Sequence, residues 1–354
     1  MLSRVAESIY WMNRYVERAE NVARLIDVNI NLTLGEQDLL GKQWMPLVRT
    51  TGDHVAFESR YSAPTPNNAL NFLLFDEENR NSIISCVKAA RENARQIRQA
   101  IPIIVWEQLN RFYHLVLETS TNDLESIDTQ DFCERVRLAS HLISGAEDAT
   151  SLKDQAWYFG RLGRMLERAD YTSRIVDIQY FILLPENVPV GSTLDAVRWS
   201  ALLRSANGLM LYRRKYGNLE PVTVAEFLLL DPLFSRSTLR CIAEAEDALF
   251  HIVNDSHDVA KRIADDPMAN VNELWKAVLD MAKLSESMRN TDARSILNSG
   301  IHEYIDRIQT ELNQIGITIQ DDFFTWNKRW SMTQTNDHST NGAAKKQEQR
   351  QRTD

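Results

Sequence analysis

Glycine and proline are scarce in this 354-residue chain, at 12 and 9 residues. Together they make up about half the share usual in globular proteins. So few turn-formers exclude a fold of many short strands, and with 44% hydrophobic residues they point to long helices. Cysteine is also sparse. Cys86, Cys133 and Cys241 lie far apart with no CxxC pair, which excludes zinc-ribbon and dithiol redox motifs and fits buried free thiols in a reducing cytosol. A cytoplasmic protein is therefore expected. An excess of positive charge is missing too: 40 Lys and Arg stand against 49 Asp and Glu, a net charge of −9. No global basic field exists for nucleic acid or acidic membranes. The longest apolar runs, around Ile101–Trp106 and Phe227–Leu230, fall far short of the ~18 residues of a membrane span. The N-terminus carries Arg4 and Glu7 in an amphipathic segment and does not read as a signal peptide.

Cofactor signatures are absent in the same way. The seven histidines form no ExxH or HExxH, so the helical di-iron and zinc-protease patterns are missing. No GxxxxGK[ST] occurs, and no GxGxxG follows a strand. Neither a metal nor another cofactor is expected. The spacing Gly160-x-x-Gly163 is too weak for a nucleotide loop and suits two helices in close approach. No Ser or Cys sits in a local nucleophile signature.

What the chain does have is a repeat. Tyr15–Val28 (YVERAENVARLIDV) aligns with Met165–Ile178 (MLERADYTSRIVDI) at an offset of 150 residues. Glu17, Arg18, Ala19, Arg24 and Asp27 meet Glu167, Arg168, Ala169, Arg174 and Asp177. Glu20 meets Asp170, and Arg14 meets Arg164. Further on, at an offset of 155, Trp44…Arg49-Thr50 lies over Trp199…Arg204-Ser205, and Phe72…Asp76 over Phe227…Asp231. Ser82 and Cys86 then meet Ser237 and Cys241. Five extra residues near Pro185–Gly191 account for the shift. An internal duplication of roughly 150 residues is expected, well above the 20–50 residue period of a solenoid.

Apolar spacing predicts helices over 2–34, 44–61, 80–100, 103–120, 129–148, 151–183, 193–215, 235–254, 268–288 and 299–328. Pro102 suits a first helical turn, and Asp231-Pro232 ends a short apolar helix. From Thr333 the chain is polar with almost no apolar anchor, so 333–354 reads as a disordered tail. The expected fold is all-α: an internally duplicated helical bundle of two pseudo-two-fold-related halves, 1–150 and 151–332, packed on one core.

The repeated segment carries charge in a stripe. Glu17, Glu20, Arg24 and Asp27 fall within roughly an 80° arc of one helix, with Arg14 beside them. Apolar residues occupy most of the remaining circumference. The second copy repeats the layout in Glu167, Asp170, Arg174 and Asp177, with Arg164 alongside. Such rows must face water or meet opposite charge, because an unpaired buried ion costs several kcal/mol. One reading pairs the copies across the pseudo-two-fold axis, Arg24 and Arg174 neutralising carboxylates on the opposite helix in a polar seam. The other opens the stripe into a pocket where arginines clamp a carboxylate or phosphate and a glutamate binds an amine or acts as general base.

A second duplicated feature is Asp76…Ser82 against Asp231…Ser237. Serine after a short loop suits a helix N-cap; Arg236 and Ser237 also qualify as anion ligands at a helix N-terminus. Arg213-Arg214-Lys215 reads as a surface patch, with docking of an acidic partner as the other possibility.

The segments LSRVAESIYWMNRYVERAENVARLID, FGRLGRMLERADYTSRIVDIQYFILLP, WSALLRSANGLMLYRRKYG and VAEFLLLDPLFSRS resemble the bacterial alpha-E family. That all-helical family is named for a glutamate motif like Glu17-Arg18 and Glu167-Arg168, and the resemblance spans essentially residues 1–330. One departure is Ser235, where the family more typically carries Pro. The resemblance implies a setting among circularly permuted ATP-grasp proteins and transglutaminase-like proteases, in systems that make, attach or remove peptides through amide bonds. Two functions follow as expectations. One is a non-catalytic helical partner of an ATP-grasp amide ligase, binding it or presenting its peptide substrate. The other is an enzyme of amide chemistry with Glu17 or Glu167 as acid/base and Arg14, Arg24, Arg164 or Arg174 as carboxylate clamp. Candidate binding residues comprise these with Arg18, Glu20, Asp27, Arg168, Asp170, Asp177, Arg236 and Ser237.

Overall fold

The computed structural model describes residues 1–33, 44–183, 193–254 and 275–325, and every regular element among them is helical. In chain order these are α1 (Ser3–Thr33), α2 (Trp44–Thr51), α3 (His54–Arg60), α4 (Pro66–Leu74), α5 (Ile83–Gln96), α6 (Ile103–Ser120) and α7 (Thr129–Thr150). There follow α8 (Gln155–Leu183), α9 (Thr193–Ser205), α10 (Leu209–Tyr216), α11 (Pro221–Ala225) and α12 (Thr238–Asn254). Helices α13 (Lys276–Arg289), α14 (Ala293–Ser299) and α15 (Ile301–Ile319) complete the series. The turns 226–230 and 320–324 continue α11 and α15 with wider π-type windings.

The two longest helices form the axis. Helix α1 runs 31 residues and α8 29 residues, and they pack on each other. Around them, α5 and α7 cover α1, while α12 and α15 cover α8. Helix α1 stays unbroken because it contains no glycine or proline, and Ala6, Ile9, Tyr10, Val16, Ala19, Ala23 and Ile26 are buried along it. One apolar cluster extends from Ala6 through Phe112, Leu166 and Cys241 to Ile319, so the helices around α1 and those around α8 share a core. Helix α8 approaches α1 through its glycines. A Cβ at Gly163 would lie 2.4 Å from the Tyr10 carbonyl oxygen, and one at Gly160 2.7 Å from Asn13 Nδ2. The Gly-x-x-Gly spacing therefore works as the sequence suggested, by removing side chains where two backbones meet.

Helix ends carry the anticipated chemistry. Ser82 Oγ accepts the Ser85 N–H at 3.2 Å and Ser237 Oγ the Arg240 N–H at 3.1 Å, each satisfying an orphan donor of a first turn. Asp231 adopts an extended conformation before Pro232 and stops the preceding helix. Several expected boundaries differ. The segment 44–61 splits at Gly52, whose φ of 83° closes α2, and 193–215 splits at Asn207, with φ 56°; left-handed residues end helical runs. Pro102 is the N-cap of α6 rather than part of its first turn. Helices α4 and α14 were not foreseen as separate elements. The linker near Pro185–Gly191, the segment 268–274 and the tail 333–354 lie outside the described residues. All three cysteines are buried free thiols.

Candidate functional site

The two Glu-Arg motifs lie one on each axial helix, and they exchange partners. Arg168 on α8 donates Nε to Glu17 Oε1 and Nη2 to Glu17 Oε2, both at 2.8 Å. In return, Arg18 on α1 donates Nε to Glu167 Oε1 at 2.6 Å and Nη2 to Glu167 Oε2 at 2.9 Å. Both are bidentate forks, the strongest geometry an ion pair takes. Arg14 adds Nε to Glu167 Oε2 at 2.9 Å. The seam expected between the two stripes is thus present, but the crossing residues differ from those expected. Arg24 and Arg174 do not cross. Each bonds the carboxylate one turn earlier on its own helix, Arg24 to Glu20 at 2.6 Å and Arg174 to Asp170 at 2.8 Å, because the i,i+4 spacing puts the pair side by side. The motif arginines Arg18 and Arg168 reach across instead.

Around this exchange lies a wider lattice. Glu20, 1% exposed, accepts Arg24, Ser140 Oγ at 2.6 Å and Arg236, and contacts His141 Nε2 at 3.2 Å. Arg236 also reaches Glu17 Oε1 and Asn21 Oδ1, each at 3.3 Å. Its guanidinium is therefore engaged by protein carboxylates, and Ser237 Oγ donates to the Asp231 carbonyl. Neither residue forms the anion site that their place before a helix suggested. Arg164 binds Glu147 at 2.9 Å on α7, and Asn13 Nδ2 holds the other Glu147 oxygen at 3.1 Å. The stripe's ends turn outward: Asp27 pairs with Arg137 at 3.2 Å and Asp177 with His302 Nδ1 at 2.8 Å. Arg213, Arg214 and Lys215 are exposed, and Lys215 pairs with Asp231 at 2.7 Å.

Electrostatics decide what the glutamates can do. Burial alone would raise the Glu167 carboxyl, but the Arg18 and Arg14 guanidiniums overcome it and hold the group at about 2. Burial likewise works to raise Glu20, yet Arg236, His141 and Arg24 carry it well below the usual carboxylate range. Glu147 goes the other way: burial raises it, and Arg164 with Asn13 only partly offsets that. Burial and the neighbouring Arg168 lower the Arg236 guanidinium against the pull of Glu20 and Glu17. A general base is effective when its pKa lies near the working pH. Glu167 is far from that condition, and both its oxygens accept guanidinium N–H groups.

Among the described residues, a larger and a smaller cavity border the lattice. The larger, about 340 Å³, is bordered by Tyr10, Trp11, Arg14, Asp170, Leu312 and Asp321 among others. The smaller, about 130 Å³, lies between α1, α2 and α8 against Arg18, Asn21, Glu167, Asp170, Tyr171 and Arg174. Among the described residues no group of three His, Cys, Asp or Glu side chains is placed to hold a metal ion. No described helix is long and apolar enough to cross a membrane. Sequence reasoning missed Ser140, His141 and Glu147, which α7 brings to the lattice. The i,i+7 spacing of Ser140 and Glu147 on one helical face was the available signal, but α7 has no marked counterpart in the repeat to draw attention to it.

A family model described as a predicted alpha-helical domain with a conserved ER motif matches residues 1–324. An uncharacterized protein of Mycobacterium bovis is 23% identical to this chain over 256 residues, covering 66% of this chain and 28% of the relative. An uncharacterized protein of Mycobacterium tuberculosis matches with the same identity and coverage. The chain thus spans little more than a quarter of the length of these curated relatives. No solved structure matches it.

Proposed function

The chain belongs to the Alpha-E family, and from that premise we propose that it is a non-catalytic helical accessory protein of an ATP-grasp amide-ligase system for peptide synthesis or protein modification. One observation carries the non-catalytic part: each motif glutamate accepts a bidentate guanidinium from the other motif. Carboxylates so engaged fix the register of two helices and have no free oxygen to take a substrate proton. The alternative, an amide-chemistry enzyme using Glu17 or Glu167, requires a carboxyl that titrates near neutrality, and Glu167 at about 2 weighs against it.

The reciprocal exchange also supports an ancestral duplication, since a Glu-Arg pair of the same form supplies each side of the same contact. In the mycobacterial relatives the matched segment is 28% of the chain, so it is accompanied by further polypeptide. That arrangement suits a module acting beside another domain. The partner is, on the family resemblance, a circularly permuted ATP-grasp ligase in the cytoplasm, with a transglutaminase-like protease or a peptide substrate as further associates. Co-purification with an ATP-grasp protein of the same genome tests the proposal. A stable complex with an altered ligase rate is expected; no complex and an unchanged rate refute it.

A further inference from the structure

The 130 Å³ cavity between α1, α2 and α8 holds polar groups that the seam leaves unmatched. Asn21 is 2% exposed, yet its Nδ2 has no hydrogen-bond partner. Asp170 Oδ1 is buried and unpartnered as well. Arg174 donates Nε to the other Asp170 oxygen at 2.8 Å, and its two Nη groups make no hydrogen bond among the described residues. Buried polar atoms are normally matched, so one donor and one acceptor left open around one space, with an unused guanidinium fork beside them, describe the outline of a ligand.

The charges bordering the cavity balance: Arg18 and Arg174 stand against Glu167 and Asp170. A cation alone would meet Arg18 and Arg174. A simple anion such as phosphate would meet Glu167 and Asp170 on the same wall. A molecule carrying both charges satisfies both. The cavity is also smaller than the roughly 300–1,000 Å³ of drug-sized sites, which restricts the ligand to a few heavy atoms.

We propose that this cavity binds a free α-amino acid, its carboxylate on Arg174 Nη1 and Nη2 and Asn21 Nδ2, and its ammonium on Asp170 Oδ1. Sequence explains why the site exists once. At the position matching Asn81 the second half carries Arg236, whose guanidinium lies against Glu17, Glu20 and Asn21. Asn81 is short and neutral, donating instead to Asp53 at 2.9 Å. The inference deepens the accessory reading, on which its purpose rests: a free amino acid is the amine that an amide ligase consumes.

Calorimetric titration of the full chain with the individual proteinogenic amino acids, and with phosphate and acetate, tests binding without any ligase. At least one amino acid is expected to bind more tightly than about 1 mM. Arg174→Gln and Asp170→Asn should each weaken that binding at least tenfold, and Asn21→Ala should weaken it severalfold. Absence of amino-acid binding in the folded wild-type protein overturns the proposal. So does acetate or phosphate binding as tight as any amino acid and unaffected by Asp170→Asn. Either result leaves the ligase co-purification experiment intact as a separate test of the accessory role.

Discussion

Glu167→Gln keeps the shape of the side chain but removes the charge that Arg14 and Arg18 share and turns one of the two accepting oxygens into an NH2 donor. Two routes give the size of the loss. Breaking a buried ion pair typically costs ~3–5 kcal/mol. Here the guanidiniums remain 17% and 23% exposed and can partly rehydrate, which favours the lower end. Independently, a carboxyl held at about 2 instead of its usual 4.5 corresponds to about 3 kcal/mol of preferential stabilisation of the charged form. The routes agree on about 3 kcal/mol. At about 2–4 °C per kcal/mol for larger domains, Tm should fall by about 6 °C or more in a far-UV circular dichroism melt. Glu118→Gln, on an exposed face of α6, serves as control and should stay within about 0.5 kcal/mol of wild type. A Glu167→Gln melt that overlays the control would mean the glutamate is solvated, and the physical case against catalysis by it would fail.

Acid should weaken the fold in a defined window. Glu167 and Glu20 both have lowered folded pKa values, so their stabilisation is complete above the ordinary carboxylate pKa near 4.5 and is lost as pH falls below it, towards about 2 in the case of Glu167. Glu147, raised by burial, acts with the opposite sign and offsets part of the loss. Urea midpoints measured from pH 7 down to 2 should therefore drop mainly below pH 4.5, and a flat profile there would contradict the assigned pairs. Gly163→Ala should be strongly destabilising, since the new Cβ would lie 2.4 Å from the Tyr10 carbonyl. Gly145→Ala, with nothing within 4 Å of its Cβ, should stabilise α7 by up to about 1 kcal/mol. Equal effects of the two substitutions would remove the close α1–α8 approach from the account.

Much of the helical architecture was legible because α1 and α8 carry uninterrupted apolar spacing and the segments YVERAENVARLIDV and MLERADYTSRIVDI repeat their charges. Helix caps were legible too, since Ser82 and Ser237 act within three residues of themselves. Which arginine meets which glutamate was not. The stripe places Arg24 and Arg174 beside the carboxylates as readily as Arg18 and Arg168, and the choice depends on how two helices rotate against each other, a tertiary property. Breaks at Gly52 and Asn207 escaped notice because positive φ is a backbone conformation and not a residue type. The role of Arg236 was misjudged for a related reason. Its position before α12 looks like an anion site until Glu17 and Glu20 arrive from more than 200 residues away.

The interhelical exchange is tested most directly by a double-mutant cycle on Glu17→Gln and Arg168→Gln, with unfolding free energies taken from urea titrations. Two 2.8 Å bonds between largely buried groups predict a coupling energy of at least about 1.5 kcal/mol. Single-mutant effects that add to within about 0.5 kcal/mol would show that the two motifs do not hold one another.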